Sequence, residues 1–274
     1  WFSREELAAC EHYRLWPVVH TREQIAMLES LSGRGTLEVF VKINTGMNRL
    51  GLPPAAFPEA WRAVTRARAV AGATAMTHFA SADEAEGVAE QVARFQAATA
   101  GVRAPRCLAN SAALLRYPQT HGDWTRPGIM LYGSSPFAEV SAAALDLRPV
   151  MTLRSALIAV HDLQAGERVG YAGTFTAPTA MRVGTVACGY ADGYPRHAGT
   201  GTPIVVAGQR TRTLGRVSMD MLAVDLTPVP GAGIGTPVTL WGEGIPVDEV
   251  ARAAGTISYE LLTRVTARVP RRAG

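Results

Sequence analysis

The first half of the chain alternates between short apolar runs and stretches with helical periodicity. Each run is typical of a buried strand, and the runs recur in strand–helix units of about 30 residues. The runs are Leu15–Thr21, Leu37–Ile43, Val70–His78, Arg106–Ala109 and Thr125–Leu131. Units of this kind form parallel sheets with right-handed crossover connections. Five units do not close an eight-stranded barrel. The pattern therefore predicts either an open α/β sheet or a barrel from which about three units are missing.

Helices are predicted between these strands. One helical pattern runs to about Ser32, and another follows Pro53–Pro54, because proline suits the first turn of a helix. Ser81 is predicted to cap a third helix, whose acidic first turn would include Asp83. A fourth helix is expected to begin at Ser111.

The pattern changes after about Leu147, where short strands separated by Gly and Pro turns take over. Such a pattern is typical of an all-β domain. The predicted strands are Met151–Asp162, Val169–Thr176, Met181–Tyr190, Thr202–Val206, Arg210–Leu226 and Val238–Trp241. A short helix, Pro246–Ala254, and a final segment, Ile257–Val269, close the sequence. We therefore predict two domains, residues 1–146 and residues 147–274.

Composition narrows the function classes without identifying one. The 274 residues are 47% hydrophobic, which suffices for a buried core. The net charge of +4 is spread without a Lys/Arg run, which argues against a nucleic-acid partner, and no apolar stretch approaches the roughly 18 residues of a membrane span. Cys10, Cys107 and Cys188 lie far apart with no CxxC pair, which is typical of a reduced, cytoplasmic protein. No metal-ligand spacing, P-loop, GxGxxG or Ser-His-Asp pattern stands out, so no metal site is predicted.

Parallel sheets place functional residues just after the carboxyl ends of their strands. Lys42, the only lysine of the sequence, follows this rule, together with Arg49, His78, Asn110–Ser111 and Arg126–Ile129. Most of these also have an interpretation without function. Lys42 could be a surface lysine and Arg49 a structural arginine, while His78 could be a buried core histidine and Asn110–Ser111 a helix cap. An arginine can hold a carboxylate through two parallel hydrogen bonds, and free N–H groups at a helix start can bind phosphate.

The second half offers three further candidates. Tyr190 lies in the turn-forming stretch Cys188–Arg196, and Tyr259 lies in the final segment. The segment Gly215–Asp220 has the composition of a strand end followed by a tight turn. Both tyrosines could equally be packing residues. Taken separately, these features indicate only an α/β enzyme whose site is undetermined.

Taken together and in order, seven segments of the chain resemble the motifs of the alanine racemase family. They are Lys42–Gly51, Thr77–Asp83, Ala109–Ala113, Arg126–Gly133, Gly189–Arg196, Gly215–Asp220 and Ser258–Glu260. The resemblance implies an enzyme that interconverts L- and D-alanine through an aldimine of pyridoxal 5'-phosphate (PLP). It also implies a (β/α)8 barrel followed by a C-terminal β domain, with the five predicted units as the last five of the barrel.

The resemblance also implies catalytic roles. Tyr190 would be the base on the L face of alanine, and it would reach the PLP of a partner subunit in a head-to-tail homodimer with shared active sites. An ordinary tyrosine has a pKa of about 10, so positive charge or hydrogen bonds must activate it. In the family a chain from arginine through histidine to tyrosine does so, here Arg126, His78 and Tyr190. Arg126 would also face the pyridine nitrogen of PLP and keep it unprotonated, which weakens the ring as an electron sink.

Further residues match binding positions of the family. Those expected at the cofactor phosphate are Ser111, Gly128, Ile129 and Tyr259, with Asn110 beside them. Those expected at the substrate carboxylate and a cofactor oxygen are Arg49 and Met219, with Asp220 adjacent. Lys42 matches a lysine that is carbamylated in many relatives, and the resulting anion could orient Arg49. Asp83 and Arg216 match residues of the entrance passage.

The sequence departs from the family pattern at its beginning. The motif that carries the PLP lysine, on the first barrel strand, has no counterpart, and Lys42 occupies a different position. A PLP racemase needs that lysine for the Schiff base and as the base on the D face. Because the chain also starts at Trp1, we expect an N-terminally truncated racemase that is inactive as given. Cys107 stands where some relatives carry histidine, and Ser218 replaces a frequent cysteine.

Three other interpretations remain open at this point. A broad-specificity amino-acid racemase would share these motifs. A decarboxylase of the same barrel family should carry different motifs in the second domain, and the segment around Tyr190 argues against it. A non-catalytic PLP-binding relative would account for the missing lysine, although Tyr190, Arg49 and His78 would then serve little purpose.

Overall fold

The computed structural model describes residues 2–32 and 35–273, and it divides into two units. The first comprises Trp1–Gly128 and Pro136–Ala138, and the second comprises Ile129–Ser135 and Glu139–Gly274. The first is an α/β unit, and the second is rich in β-strands. The domain boundary that we predicted at residue 147 stays a prediction. No helix in the described ranges is long and apolar enough to cross a bilayer.

A four-stranded parallel sheet lies at the centre of the first unit. Its strands, in spatial order, are β1 (Val18–Val19), β2 (Leu37–Lys42), β3 (Val70–Met76) and β4 (Arg106–Cys107). The register pairs Lys42 with Met76 and Met76 with Cys107, so the carboxyl ends of β2, β3 and β4 lie side by side. We expected the candidate residues of the first half at this edge.

Five α-helices of the described residues connect or flank these strands. They are α1 (Arg4–Tyr13), α2 (Arg22–Glu29), α3 (Phe57–Arg66), α4 (Ala89–Ala98) and α5 (Ser111–Arg116). Ser3 and Glu6 form a capping box at the start of α1, and Thr21 accepts a hydrogen bond from the N–H of Gln24 at the start of α2. A 3-10 turn, Pro54–Ala56, leads into α3 as the proline pair predicts.

The prediction that a helix begins at Ser81 is wrong. Residues 81–88 form bends and turns, and α4 begins only at Ala89. Gly87 adopts a φ of +65°, a left-handed conformation that interrupts a helix through this segment. The segment is tied to α4 instead, because the N–H of Ala80 donates to Oε1 of Gln91 at 2.8 Å.

The predicted fifth strand, Thr125–Leu131, is also wrong. Residues 125–128 are irregular, and Ile129–Tyr132 forms a 3-10 helix. Pairing with β4 is reduced to one parallel bridge between Trp124 and Cys107. Pro127 has no N–H to donate to a neighbouring strand, which explains why the pairing does not continue.

A closed antiparallel barrel forms the second unit. Its strands are β5 (Leu153–Leu163), β8 (Met181–Val186), β9 (Pro203–Val206), β10 (Gln209–Leu214), β11 (Leu222–Asp225) and β12 (Pro237–Trp241). Around the barrel they follow the order β10-β11-β8-β5-β12-β9. Closure leaves no unpaired sheet edge. A small separate hairpin is made by β6 (Arg168–Val169) and β7 (Phe175–Thr176).

Two strands predicted for this unit are each divided in two. The run Arg210–Leu226 breaks into β10 and β11, because Gly215 adopts a φ of +69° at the end of β10. The run Val169–Thr176 breaks into the β6–β7 hairpin, whose turn contains Ala172 at a φ of +59°. Left-handed backbone ends regular strand pairing at both places.

The core of the barrel contains the side chains of Tyr194 and Trp241, which are fully buried and stacked with ring centroids 5.8 Å apart. Two helices follow the barrel, α6 (Val247–Ala253) and α7 (Ser258–Arg264). Val250 and Leu261, one from each helix, are buried in the same apolar cluster. Burial of these faces fixes both helices against the barrel core.

Candidate active site

Basic side chains gather at the carboxyl ends of the parallel strands. Lys42 ends β2 and is only 8% exposed, and His78 follows β3 and is half-buried. Burial lowers the pKa of the Lys42 amine, and the positive charges of Arg49 and Arg126 lower it further. Arg49 itself is exposed on the loop after β2. The site is therefore rich in hydrogen-bond donors and suited to anionic groups.

Asn44 shapes the loop that carries Arg49. Its Oδ1 accepts hydrogen bonds from the N–H groups of Gly46 and Asn48, at 3.2 and 3.0 Å. Gly51 closes the loop at a φ of +129°, and a Cβ there would lie 2.5 Å from the backbone nitrogen of Asn44. The loop thus leaves β2 and returns to it within a few residues.

The guanidinium of Arg126 is fixed by four neighbours. Nη1 lies 2.8 Å from Nδ1 of His78, and Nε donates to Sγ of Cys107 at 3.2 Å. Nη2 donates to the carbonyl oxygens of Thr77 and Leu108, at 2.6 and 2.8 Å. Four of its five N–H donors are thereby used within the protein, so the plane of the group is set by β3 and β4.

The hydrogen bond to Arg126 also fixes the protonation of His78. Burial and the positive charges of Arg126, Lys42 and Arg49 lower the pKa of His78 to about 4, so the ring is neutral at pH 7. A guanidinium can only donate, so Nδ1 of His78 is the acceptor. The proton of the neutral ring therefore lies on Nε2, the nitrogen that faces away from Arg126.

Ser111 and Gly128 form a second small group in the first unit. Ser111 is buried at the first position of α5, and its Oγ accepts a hydrogen bond from the N–H of Gly128 at 2.7 Å. Asn110 caps the same helix, because its Oδ1 accepts from the N–H of Ala113 at 3.0 Å. Asp83 is exposed, and its carbonyl oxygen accepts from Arg116 at 3.1 Å.

In the second unit, the turn that carries Tyr190 lies against the segment around Met219. The N–H of Tyr190 donates to the carbonyl of Ser218 at 3.1 Å, and the N–H of Ala191 donates to that of Met219 at 2.9 Å. Gly189 makes this approach possible, since a Cβ at this position would lie 2.3 Å from the Met219 carbonyl oxygen. The structure thus brings together two predicted segments that are far apart in sequence.

Arg268 links the same two segments, and the sequence analysis missed it. Its Nε donates to Asp192 at 2.8 Å and its Nη2 donates to Asp220 at 2.7 Å. The other oxygen of Asp192 accepts from the N–H of Gly189 at 2.8 Å. Burial alone would raise the pKa of Asp192, but the hydrogen bonds from Arg268 and Gly189 outweigh it and lower that pKa. Nothing in the local pattern around Arg268 indicates this role, because both partners lie far away in sequence.

The remaining predicted residues of the second unit occupy separate positions. Tyr259 is half-exposed on α7, and Ile129 is buried at the start of the 3-10 helix Ile129–Tyr132. Arg216 is exposed, with its backbone near Gly170. In the described part of the chain no group of three His, Cys, Asp or Glu side chains is arranged to hold a metal ion.

Comparison with known sequences identifies the family. The family model "Alanine racemase, N-terminal domain" matches residues 1–136, and "Alanine racemase, C-terminal domain" matches residues 150–273. The chain belongs to the alanine racemase family. The resemblance inferred from the seven motifs is confirmed.

Individual alanine racemases match over almost the whole chain. The alanine racemase of Thiobacillus denitrificans is 58% identical over 272 residues, covering 98% of this chain and 73% of the relative. That of Nitrosospira multiformis is 56% identical, covering 98% and 76%. A catabolic alanine racemase of Salmonella typhimurium is 52% identical, covering 98% and 76%. These matches do not favour a broader specificity or a non-catalytic relative, and they lend no support to truncation or to the expectation that the chain is inactive.

Solved alanine racemases share the fold. The biosynthetic alanine racemase of Pseudomonas aeruginosa superposes with a TM-score of 0.94 at 48% identity, covering 99% of this chain and 76% of that chain. The alanine racemase of Acinetobacter baumannii gives 0.89 at 38% identity, covering 97% and 76%. The predicted order of an α/β domain followed by a β-rich domain is thereby confirmed for this alanine racemase family member.

Proposed function

We propose that this protein interconverts L- and D-alanine with PLP as its cofactor. Membership of the alanine racemase family supports the reaction, and the bond from Arg126 to Nδ1 of His78 is the single observation that supports the mechanism. The proposed substrate is a small amino acid, and the proposed location is the cytoplasm. The four-stranded sheet is assigned to a (β/α)8 barrel whose last units this chain supplies. The C-terminal domain, residues 147–274, carries Tyr190.

The chemistry of the residues fits PLP, which has an anionic phosphate and a pyridine nitrogen. The family resemblance assigns Ser111, Gly128, Ile129 and Tyr259 to the phosphate, with Asn110 as the cap of the helix that begins at Ser111. Arg126 would hold the pyridine nitrogen, because a guanidinium donates a hydrogen bond and keeps its proton. Bound PLP draws electrons from the Cα of the amino acid and so makes its proton removable. The family's lysine motif is absent from the sequence, so covalent attachment is assigned to no residue here.

His78 activates the base on the L face. Its Nε2–H would donate to the hydroxyl oxygen of Tyr190 from the partner subunit of a head-to-tail homodimer, which stabilises the phenolate that removes or returns the Cα proton. Because Arg126 fixes Nδ1 as the acceptor, His78 presents this donor whenever it is neutral. Two subunits would therefore share each active site.

The substrate carboxylate is assigned to Arg49 and to the backbone of Met219, with Asp220 adjacent. Arg49 is exposed on its loop, so an anionic neighbour would orient it. Lys42 would supply that anion as a carbamate, since its lowered pKa favours the neutral amine that reacts with carbon dioxide. Asp83 and Arg216 are assigned to the entrance passage.

A deuterium-exchange assay tests this proposal. The full chain, incubated with PLP in deuterium oxide, should exchange the Cα proton of L-alanine, a step that needs the base on the L face and not the lysine of the D face. Tyr190→Phe should lower the exchange rate by about 10²- to 10⁴-fold because a proton-transfer group is lost. Tyr13→Phe, at an exposed position on α1, is the matched control and should keep wild-type activity. Unchanged activity of Tyr190→Phe would refute the assigned base. No exchange by the PLP-loaded wild type would refute the function itself.

A further inference from the structure

A buried cluster of hydroxyl and carboxylate groups in the second unit has no role in the chemistry assigned above. It consists of Ser134, Ser258 and Asp248, from three separate stretches of the chain. Oγ of Ser134 lies 2.7 Å from Oγ of Ser258 and also bonds Oδ1 of Asp248. Ser134 is completely buried and Ser258 is 6% exposed. Since a hydroxyl has one proton and a carboxylate only accepts, Ser134 donates to Asp248 and Ser258 supplies the proton of the other bond.

The second carboxylate oxygen shows that this cluster is not optimised for stability. Oδ2 of Asp248 is buried and has no hydrogen-bond partner among the described residues. A buried carboxylate oxygen without a donor is unfavourable, and apolar packing of the same volume is often at least as stable. Residues that break this rule tend to serve a site rather than the fold.

The cluster connects two groups that we assigned to the PLP phosphate. Ser134 lies in the short segment Ile129–Ser135, and Ser258 directly precedes Tyr259 at the start of α7. Gly133 holds the first segment tightly in place, because a Cβ there would lie 1.8 Å from a backbone carbonyl oxygen of Arg148. Asp248 lies in the first turn of α6 and accepts the hydrogen bond of Ser134.

We propose that Ser134, Ser258 and Asp248 are positioning residues that fix the distance between the N–H of Ile129 and the hydroxyl of Tyr259, and thereby set the affinity for the phosphate of PLP. The inference rests on the proposed function, which assigns Ile129 and Tyr259 to that phosphate. A phosphate needs several donors that converge on it at once. Loss of the cluster therefore weakens the phosphate contacts and leaves the contacts to the ring and to the amino acid in place.

The test compares PLP with pyridoxal, which has the same ring and no phosphate. Dissociation constants of both are measured by fluorescence titration for the full-length wild type and for Ser134→Ala, which removes both hydrogen bonds at once. We expect the Kd of PLP to rise about tenfold and the Kd of pyridoxal to change less than about twofold. Ser134→Thr keeps the hydroxyl and should restore the PLP affinity to within about threefold of wild type.

Thr213→Val is the matched control, because it also removes one buried hydroxyl of the second unit: Thr213 is 1% exposed, and its Oγ1 donates to the carbonyl oxygen of Gly199 at 2.6 Å. Its melting temperature should fall much like that of Ser134→Ala, while its PLP affinity stays at the wild-type value. A parallel change in both dissociation constants, or an unchanged PLP affinity, of Ser134→Ala would overturn the positioning role alone. A wild type that binds PLP no better than pyridoxal would overturn the phosphate site and the proposed function with it.

Discussion

His78 follows β3 and Arg126 lies in the irregular segment after Trp124, and the bond between them determines which nitrogen of the histidine carries a proton. Sequence reasoning selects both residues by the rule that functional side chains lie at the ends of parallel strands, although the strand predicted around Arg126 does not form. It does not show that Cys107 and two backbone carbonyls hold the same guanidinium, since those partners depend on the register of β3 and β4. Arg268 escapes prediction for the same reason.

The low pKa of His78 predicts a pH dependence of stability. The folded chain has a His78 pKa of about 4, whereas the unfolded value is about 6.5. Between these values the unfolded state binds a proton that the folded state does not, so this contribution to stability is complete above about pH 6.5 and is lost as the pH falls toward about 4. The urea midpoint of the wild type should fall across this range.

His78→Gln isolates this effect, since glutamine does not titrate and can still accept from Arg126. We expect a smaller loss of midpoint on acidification for His78→Gln than for the wild type. His161→Gln, at an exposed position on β5, is the control and should follow the wild-type curve. Equal pH dependence in all three proteins would contradict the lowered pKa of His78.

At the level of elements, apolar runs locate most strands but not the breaks within them. Four of the five runs in the first half become β1 to β4, and the fifth fails at Pro127. Gly87 ends the helix predicted at Ser81, and Gly215 divides the long run after β9. These breaks depend on positive φ angles and on missing donors, which hydrophobic periodicity does not record.

The β9–β10 hairpin allows a direct test of such a turn. Ala207 and Gly208 have φ angles of +49° and +79°, between the paired residues Val206 and Gln209. Two positive φ angles are typical of a type I′ turn, in which asparagine is preferred over alanine at the first position. Ala207→Asn should raise the free energy of unfolding by about 0.5–1 kcal/mol in urea. Gly208→Ala should lower it by about 1 kcal/mol, and a destabilised Ala207→Asn would show that the turn is not of this type.

For the whole molecule, the change of pattern near Leu147 predicts an α/β region followed by a β-rich region, and both are present. The closed barrel of the second unit is not predictable from the alternation of apolar and polar residues alone. That pattern accounts for β10 pairing with its sequence neighbours β9 and β11, but closure also needs β5 to pair with β12 across a long stretch of chain. Such long-range pairing depends on the total packing of the core.

The proposed homodimer with shared active sites predicts complementation between inactive variants. In a heterodimer of Tyr190→Phe with Arg49→Met, one site combines the intact Arg49 of the first variant with the intact Tyr190 of the second. After unfolding and refolding as an equal mixture, the proteins should recover about a quarter of wild-type activity, because half of the dimers are mixed and each has one intact site. Either variant refolded alone is the control. No recovery in a mixture that forms dimers would place Tyr190 and Arg49 of one subunit in the same site.

Lys42 can be labelled selectively with a stable isotope. It is the only lysine among the 274 residues, and it ends β2 with 8% of its surface exposed. Growth with ¹⁵N-lysine would therefore introduce a single side-chain resonance, located in the candidate site and free of overlap. The chemical shift of that nucleus distinguishes an ammonium, a free amine and a carbamate. The ionic state of the pocket is thus readable by nuclear magnetic resonance without any assignment of the spectrum.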